Sequence, residues 1–343
     1  MYGQRLFVLT RDADLPAKTT AAPAVALLPD RETGWSLIRL RLVDASGIQE
    51  AAIAPAAGSN LFSWSVDGEE LLLQPARLWD LREHHAGTPI MFPTVNRVRD
   101  SRMSFEGRDF VFEPNLGSNF IHGLARHCRF EVTALYTTAD AAVAETTLDW
   151  NATQPAFARF PIRHRLTLRY HLDASGMRIG YRVENLDDAR LPYGFGLHPY
   201  FRVPGRREDV TIAAPLDAHM EADAWLPTGA ILPVEATAFD LRRGATLSAL
   251  NLDEAYVGMA PGKAASFALG PGKLTVQLSG SEQFTHLVVY TPADRGYFCI
   301  ENQTSSTDAH NLWARGKTAE SHLLVVGPGQ TDAGEVHWAI VRG

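Results

Sequence analysis

Arg165-Leu166-Thr167-Leu168-Arg169-Tyr170-His171-Leu172-Asp173-Ala174-Ser175-Gly176-Met177-Arg178-Ile179-Gly180-Tyr181-Arg182-Val183-Glu184 is the stretch on which the fold turns. Leu166, Leu168, Tyr170 and Leu172 alternate with Arg165, Thr167, Arg169 and His171. Past Asp173-Ala174-Ser175-Gly176, the residues Met177, Ile179, Tyr181 and Val183 alternate with Arg178, Arg182 and Glu184. Successive side chains of a strand point to opposite faces, so a period of two predicts amphipathic strands with one face on a core. The glycine-containing turn between them makes the pair an antiparallel hairpin with a wet, charged outer face.

The same alternation extends outward. Upstream, Ile38, Leu40 and Leu42 start a strand that turns at Asp44–Gly47 and returns over Ile48–Ile53. Leu61–Val66 leads into Asp67-Gly68, a hairpin dipeptide before Glu69–Leu73. A further hairpin turns near Glu106-Gly107, and residues 76–85 read as a short helix. Downstream, strands are predicted over Val210–Ile212, Thr246–Leu250, Ser266–Leu269, Leu274–Leu278, Thr285–Tyr290, Phe298–Glu301, Leu323–Val326 and Val336–Ile340. Long helical periodicity is absent, so the class is all-β, a sandwich or barrel. Residues 1–36, rich in Ala, Pro and Thr further in, are read as a loosely structured lead-in or edge strand, and 37–343 as a single domain.

Hydrophobic residues make up 45% of the 343-residue chain and charged residues 21%, enough to build a large core without staples. A net charge of −7 argues against a nucleic-acid footprint. Cys128 and Cys299 are too few and too distant for a disulfide framework or zinc cluster, and are expected reduced. No run approaches the length of a membrane span, and Leu6–Leu9 is too short for a signal core, so the expectation is a cytoplasmic protein with no membrane partner. Gly316-Lys317-Thr318 ends like a phosphate-binding loop, but that pattern needs glycine where Asn311 stands.

Five places carry residues suited to chemistry. In Gly194-Phe195-Gly196-Leu197-His198-Pro199-Tyr200-Phe201, the proline presses His198 towards extended backbone and the glycines admit close neighbours. Phe120-Ile121-His122-Gly123-Leu124-Ala125-Arg126 delivers a second histidine at a strand end. Asn96-Arg97 offers a fork of donors. Asn251-Leu252-Asp253-Glu254-Ala255-Tyr256 is a short acidic patch. Glu301 closes an apolar strand, where burial raises a carboxyl pKa towards the range of a general base. Each has a plain alternative: a surface arginine, satisfied structural histidines, a turn or cap, a salt-bridged glutamate.

In order and spacing, Asn96-Arg97, His122-Gly123, His198-Pro199-Tyr200-Phe201 and Glu301 resemble the aldose 1-epimerase (galactose mutarotase) family, from about residue 37 onward. Phe160-Pro161 before the central hairpin and Val326-Gly327-Pro328-Gly329-Gln330 near the end fit as well. The resemblance implies a large antiparallel β-supersandwich and exchange of the α and β anomers of a free aldose, with no metal or organic cofactor. It implies Glu301 as base, His198 as acid and His122 beside the ring oxygen. Asn96, Arg97 and Asp253 would bind the sugar, with Tyr256 lining the groove and Phe201 better placed in a core. A variant acting on a hexose 6-phosphate is also implied, because His122-Gly123-Leu124-Ala125-Arg126 is similar to sugar-phosphate epimerases; Arg97, Arg99, Arg102 and Arg126 would then be available for phosphate. A non-catalytic sugar-binding or sensing protein, and a glycosidase using Asp253 with Glu301, are the readings from other classes. Leu197, Phe130 and Thr94-Val95 stand where the family often has other residues, which leaves the sugar open, as the sequence leaves the oligomeric state.

Overall fold

The computed structural model describes residues 22–83, 85–270, 272 and 274–342. The expectation for the start of the lead-in lies outside these residues; from Ala24 to Pro29 the chain is an edge strand on Ser36–Asp44.

The central hairpin forms as His164–Asp173 and Gly176–Asn185, with Asp173 facing Gly176 across a two-residue turn. Leu166, Leu168, Tyr170, Leu172, Met177, Ile179 and Val183 are all buried. Burying such a side chain contributes about 1.5–3 kcal/mol. The opposite face carries ion pairs, such as Arg165 on Asp149 at 2.6 Å. This hairpin sits inside a nine-stranded sheet running, in spatial order, Glu131–Thr137, Ala141–Trp150, the hairpin, Thr331–Arg342, Leu274–Gly280, Ala265–Leu269, Val210–Ala213 and Ala245–Thr246.

A second large sheet runs Leu226–Pro233, Ala218–Asp223, Asp253–Val257, His286–Tyr290, Tyr297–Gln303, Gly196–Leu197 and Ile90–Met91, with Phe201–Arg202 also paired to Tyr297–Gln303. A five-stranded sheet from Ala24–Pro29 to Glu69–Glu70 completes the body. The strand pairings of all three sheets are antiparallel. Aromatic rings join the layers. Phe201 packs on Phe298 of its own sheet at 5.7 Å, and on Phe267 and Trp338 of the nine-stranded sheet at 4.6 and 5.4 Å. Trp338 in turn meets Trp64 of the third sheet at 5.8 Å. Stacked sheets sharing one aromatic core give the expected antiparallel supersandwich.

Some expectations change. Residues 76–85 contain a 3₁₀ segment, Leu78–Glu83. In place of a strand over Thr246–Leu250, two residues pair and Leu247–Ala249 turns as 3₁₀, burying Leu247. The acidic patch at Asp253 is a strand, Asp253–Val257. The Glu131–Thr137 and Ala141–Trp150 pair is absent from the sequence reading: Ala141, Ala142, Val143 and Ala144 are all buried, which erases alternation there, although Ala144, Thr146, Leu148 and Trp150 do alternate with Glu145, Thr147 and Asp149. Among the described residues, α-helix is confined to Ala309–Ala314 and Thr318–Ser321, and no helix is long and apolar enough to cross a membrane.

Candidate active site

Tyr297–Gln303 is the floor of the site. Phe298 and Ile300 point into the core, so strand alternation turns Tyr297, Cys299, Glu301 and Gln303 to the other face. That face opens on a cleft of ≈ 610 Å³ lined by Asn96, Arg97, His122, His198, Asp253, Glu301 and a group of tyrosines. A hollow of similar size, ≈ 560 Å³, beside Val66, Leu269 and Arg342 gathers no comparable histidine–carboxylate set.

Glu301 is 2% exposed, yet forms part of the cleft wall. Gln303 Nε2 donates to Glu301 Oε2 at 3.0 Å. Its other oxygen, Oε1, lies 3.4 Å from His198 Nε2. Burial first, and the charge of Asp253 second, push the Glu301 carboxyl well above the usual carboxylate range; Gln303 and Arg97 pull the other way. Burial likewise holds His198 down to about 3, helped by the positive charge of Arg126 and Arg97. The desolvated pair therefore resists carrying net charge, which favours a single proton held between its two members.

His198 is aimed by its neighbours. Gly196 pairs with both Met91 and Gln303, and a Cβ there would meet the Met91 Cε at 2.7 Å and side-chain carbons of Gln303 and Val95 at 3.1 and 3.2 Å, so a larger residue would have to push these side chains aside. The His198 N–H donates to the Pro89 carbonyl at 3.1 Å. Its ring stacks on Tyr200 at 4.7 Å and takes the ring of His122 edge-on, also at 4.7 Å.

His122 and Arg97 arrive together because Phe120–Ile121 pairs with Arg97–Val98, placing Ile121 against Arg97. The His122 N–H donates to the Asn96 carbonyl at 2.8 Å. His122 and Gly123 both have left-handed backbone, φ 68° and 67°. A Cβ on Gly123 would lie 2.4 Å from the Phe92 carbonyl oxygen. Gly123→Ala is therefore expected to destabilise the fold by ~2 kcal/mol or more, adding left-handed strain to a clash with backbone. Urea unfolding would read this as a lower midpoint, and an unchanged midpoint would contradict it.

Across the cleft, Arg97 Nη2 meets Asp253 Oδ2 at 3.1 Å while Nη1 donates to Asn96 Oδ1 at 3.1 Å. The structure thus brings together Glu301, His198, His122, Arg97, Asp253 and Asn96. Two expected residues fall elsewhere. Tyr256 is fully buried, its hydroxyl donating to the Phe239 carbonyl at 2.8 Å. Three residues beyond Asp253 on one strand, it takes the opposite face. Arg126 is 8% exposed, donates to the Ile121 carbonyl at 3.0 Å and lines a separate pocket with Trp35, Arg82 and Arg129. Its field reaches His198, but it does not line the cleft.

Tyr200, part of the His198-Pro199-Tyr200-Phe201 motif, also lines the cleft, together with Tyr290, Tyr297, His85 and Arg295, to which the sequence reading assigns no role. Tyr297 was findable by counting back in twos from Glu301. Tyr290 was not, because it reaches the site through register, opposite both Cys299 and Asp253. One group among the described residues has metal-ligand spacing: donor atoms of His198, Cys299 and Glu301 lie within 4.8 Å of one another. Burial pushes both the thiol and the carboxyl towards their protonated, poorly ligating forms.

Comparison with known proteins adds ancestry to this geometry. The family model described as aldose 1-epimerase matches residues 42–331. Galactose mutarotase of Rattus norvegicus is 30% identical over 157 residues, 43% of either chain. The chain spans under half the length of the mammalian galactose mutarotases it matches. Among solved structures, a galactose mutarotase-like protein from Clostridium acetobutylicum superposes with a TM-score of 0.85 at 22% identity, over 94% of this chain and 100% of that one. Galactose 1-epimerase from Lactobacillus acidophilus NCFM gives 0.74 at 20% identity, again over 94% of this chain and 100% of the other. At these identities the structural likeness speaks for the fold.

Proposed function

The chain belongs to the aldose 1-epimerase family, and we propose that it interconverts the α and β anomers of a free aldose by general acid–base ring opening and closure. The observation that carries this reading is the 3.4 Å approach of His198 Nε2 to Glu301 Oε1, both buried, at the wall of a sugar-sized cleft.

Opening a pyranose requires loss of the proton from the C1 hydroxyl and gain of one at the ring oxygen. The pair's one proton, which burial favours on Glu301, passes to His198 across their 3.4 Å approach, and the ionised Glu301 then takes the hydroxyl proton as C1 becomes a carbonyl. His198 gives its proton to the ring oxygen as the C1–O5 bond breaks. The open aldehyde rotates about C1–C2 and recloses from its other face, with both protons returning. The pair holds one proton before and after the cycle, so no net charge is created in a desolvated site. His122, edge-on to His198, steadies its ring and faces the developing charge. Arg97 donates to sugar hydroxyls and Asp253 accepts from them, each already held by the other.

Polarimetry on fresh α-glucose and α-galactose tests the activity. The expected result is faster decay to equilibrium rotation with protein than with buffer alone; no acceleration with any aldose would remove the reading. Of Arg97, Arg99, Arg102 and Arg126, only Arg97 lines the cleft, where Asp253 already engages it; Arg295 also lines the cleft, 3.6 Å from Asp294, and is the cation a 6-phosphate would have to use. Comparing kcat/KM on the two forms decides between them.

A further inference from the structure

Trp225 sits where a tryptophan is hard to accommodate. Ala218–Asp223 and Leu226–Pro233 form a hairpin in which Asp223 faces Leu226, so Ala224-Trp225 is a two-residue turn. Both residues have left-handed backbone, φ 46° and 62°. Turns of this hand favour Asn or Gly, and a bulky residue at positive φ is an outlier. Packing does not compensate, because Trp225 is 60% exposed. Strain held without burial points to a task for the ring.

Its position says which task. Cζ of Arg97 lies 5.8 Å from the indole centroid, and Arg97 is the arginine paired with Asp253 in the cleft. Asn96, Arg97 and Asp253 line both the cleft and the small hollow against Trp225. In the sheet, the Glu301 strand is followed by His286–Tyr290, Asp253–Val257, Ala218–Asp223 and Leu226–Pro233. Strand spacings of about 4.8 Å put the Asp253 strand roughly 10 Å from that of Glu301, and the Trp225 hairpin roughly 15–19 Å away. With C1 at Glu301 and His198, one pyranose fills the interval to Asp253. A ring attached at its far end reaches the indole.

We propose that Trp225 is the platform of a second sugar subsite, on which the apolar face of the next ring of a reducing di- or oligosaccharide stacks while its reducing ring is turned over. This rests on the reading of the cleft as an anomerase site. The sugar that fits is linked through the end of the first ring remote from C1, as in maltose or cellobiose.

The test compares maltose and cellobiose with glucose as substrates of the parent, Trp225→Ala, Trp225→Phe and Trp225→Gly. The expected result for Trp225→Ala is an approximately ten-fold fall in the disaccharide-to-glucose ratio of kcat/KM, carried by KM. Trp225→Phe should retain most of the ratio. Trp225→Gly should melt at a higher temperature than Trp225→Ala, because glycine suits the turn, while discriminating just as poorly. An equal loss on glucose and disaccharide would put the indole on the first ring, and an unchanged ratio would take it out of binding; either overturns the subsite. If the parent accelerates no sugar, the anomerase reading fails separately. Calorimetric titration with maltose then decides: binding by the parent that Trp225→Ala loses supports the subsite, and absent binding overturns it.

Discussion

Glu301→Gln is expected to lower kcat by about 10²–10⁴-fold with little change in KM, the range typical of a removed general base. Glutamine keeps the volume and still accepts a hydrogen bond, but cannot take the C1 hydroxyl proton. Its effect on stability should have the opposite sign. Burial raises the Glu301 pKa in the fold, so the stability this group contributes is fully present below its unfolded pKa near 4.5 and is lost as pH rises through the raised value. The variant escapes that loss. Its melting temperature should therefore exceed the parent's at neutral pH, and the gap should close as pH falls towards 4.5. The parent's rate should fall on the acid side at a pH above 4.5, because the base form is needed and its pKa is raised. A variant both slower and more stable separates a chemical role from a structural one, which would give a slower and less stable protein.

His198→Gln should cost a similar 10²–10⁴-fold in kcat. The ring stacks on Tyr200, meets His122 edge-on and faces Glu301 at 3.4 Å, so its removal deprives the ring oxygen of its proton source while the Arg97–Asp253 end of the cleft keeps its hold on the sugar. KM should therefore move far less than kcat. Because acid and base act as one unit, Glu301→Gln with His198→Gln should be little worse than the more damaging single change. Rapid mixing of α-glucose with each variant, followed by polarimetry, reads all three. Multiplying losses in the double variant would contradict a concerted pair.

The central hairpin was legible because its turn contains Gly176 and its two faces differ in polarity at every step but Gly180. The Ala218–Asp223/Leu226–Pro233 hairpin was not, because Ala224-Trp225 carries none of the residues that announce a left-handed turn. The start of the Ala141–Trp150 strand was hidden by burial of Ala141–Ala144 on both faces, while its second half alternates and could have been read. In the site, each residue type could be read locally, but the meeting of His198 with Glu301 depends on Gly196 pairing with Gln303, a contact across more than a hundred residues that no local pattern encodes. The family resemblance supplied it. Tyr256 shows the reverse case. Once Asp253–Val257 is a strand, alternation alone sends Tyr256 into the core, and reading the segment as a turn concealed that.

The most direct test is exchange at C1 of an aldose already at anomeric equilibrium, followed by ¹³C exchange spectroscopy of C1-labelled glucose and galactose. With the parent protein, cross-peaks between the α and β C1 signals should appear for at least one sugar at a rate above buffer, and vanish with Glu301→Gln. Sugar that binds without any C1 exchange, or exchange that persists undiminished in Glu301→Gln, would contradict the account.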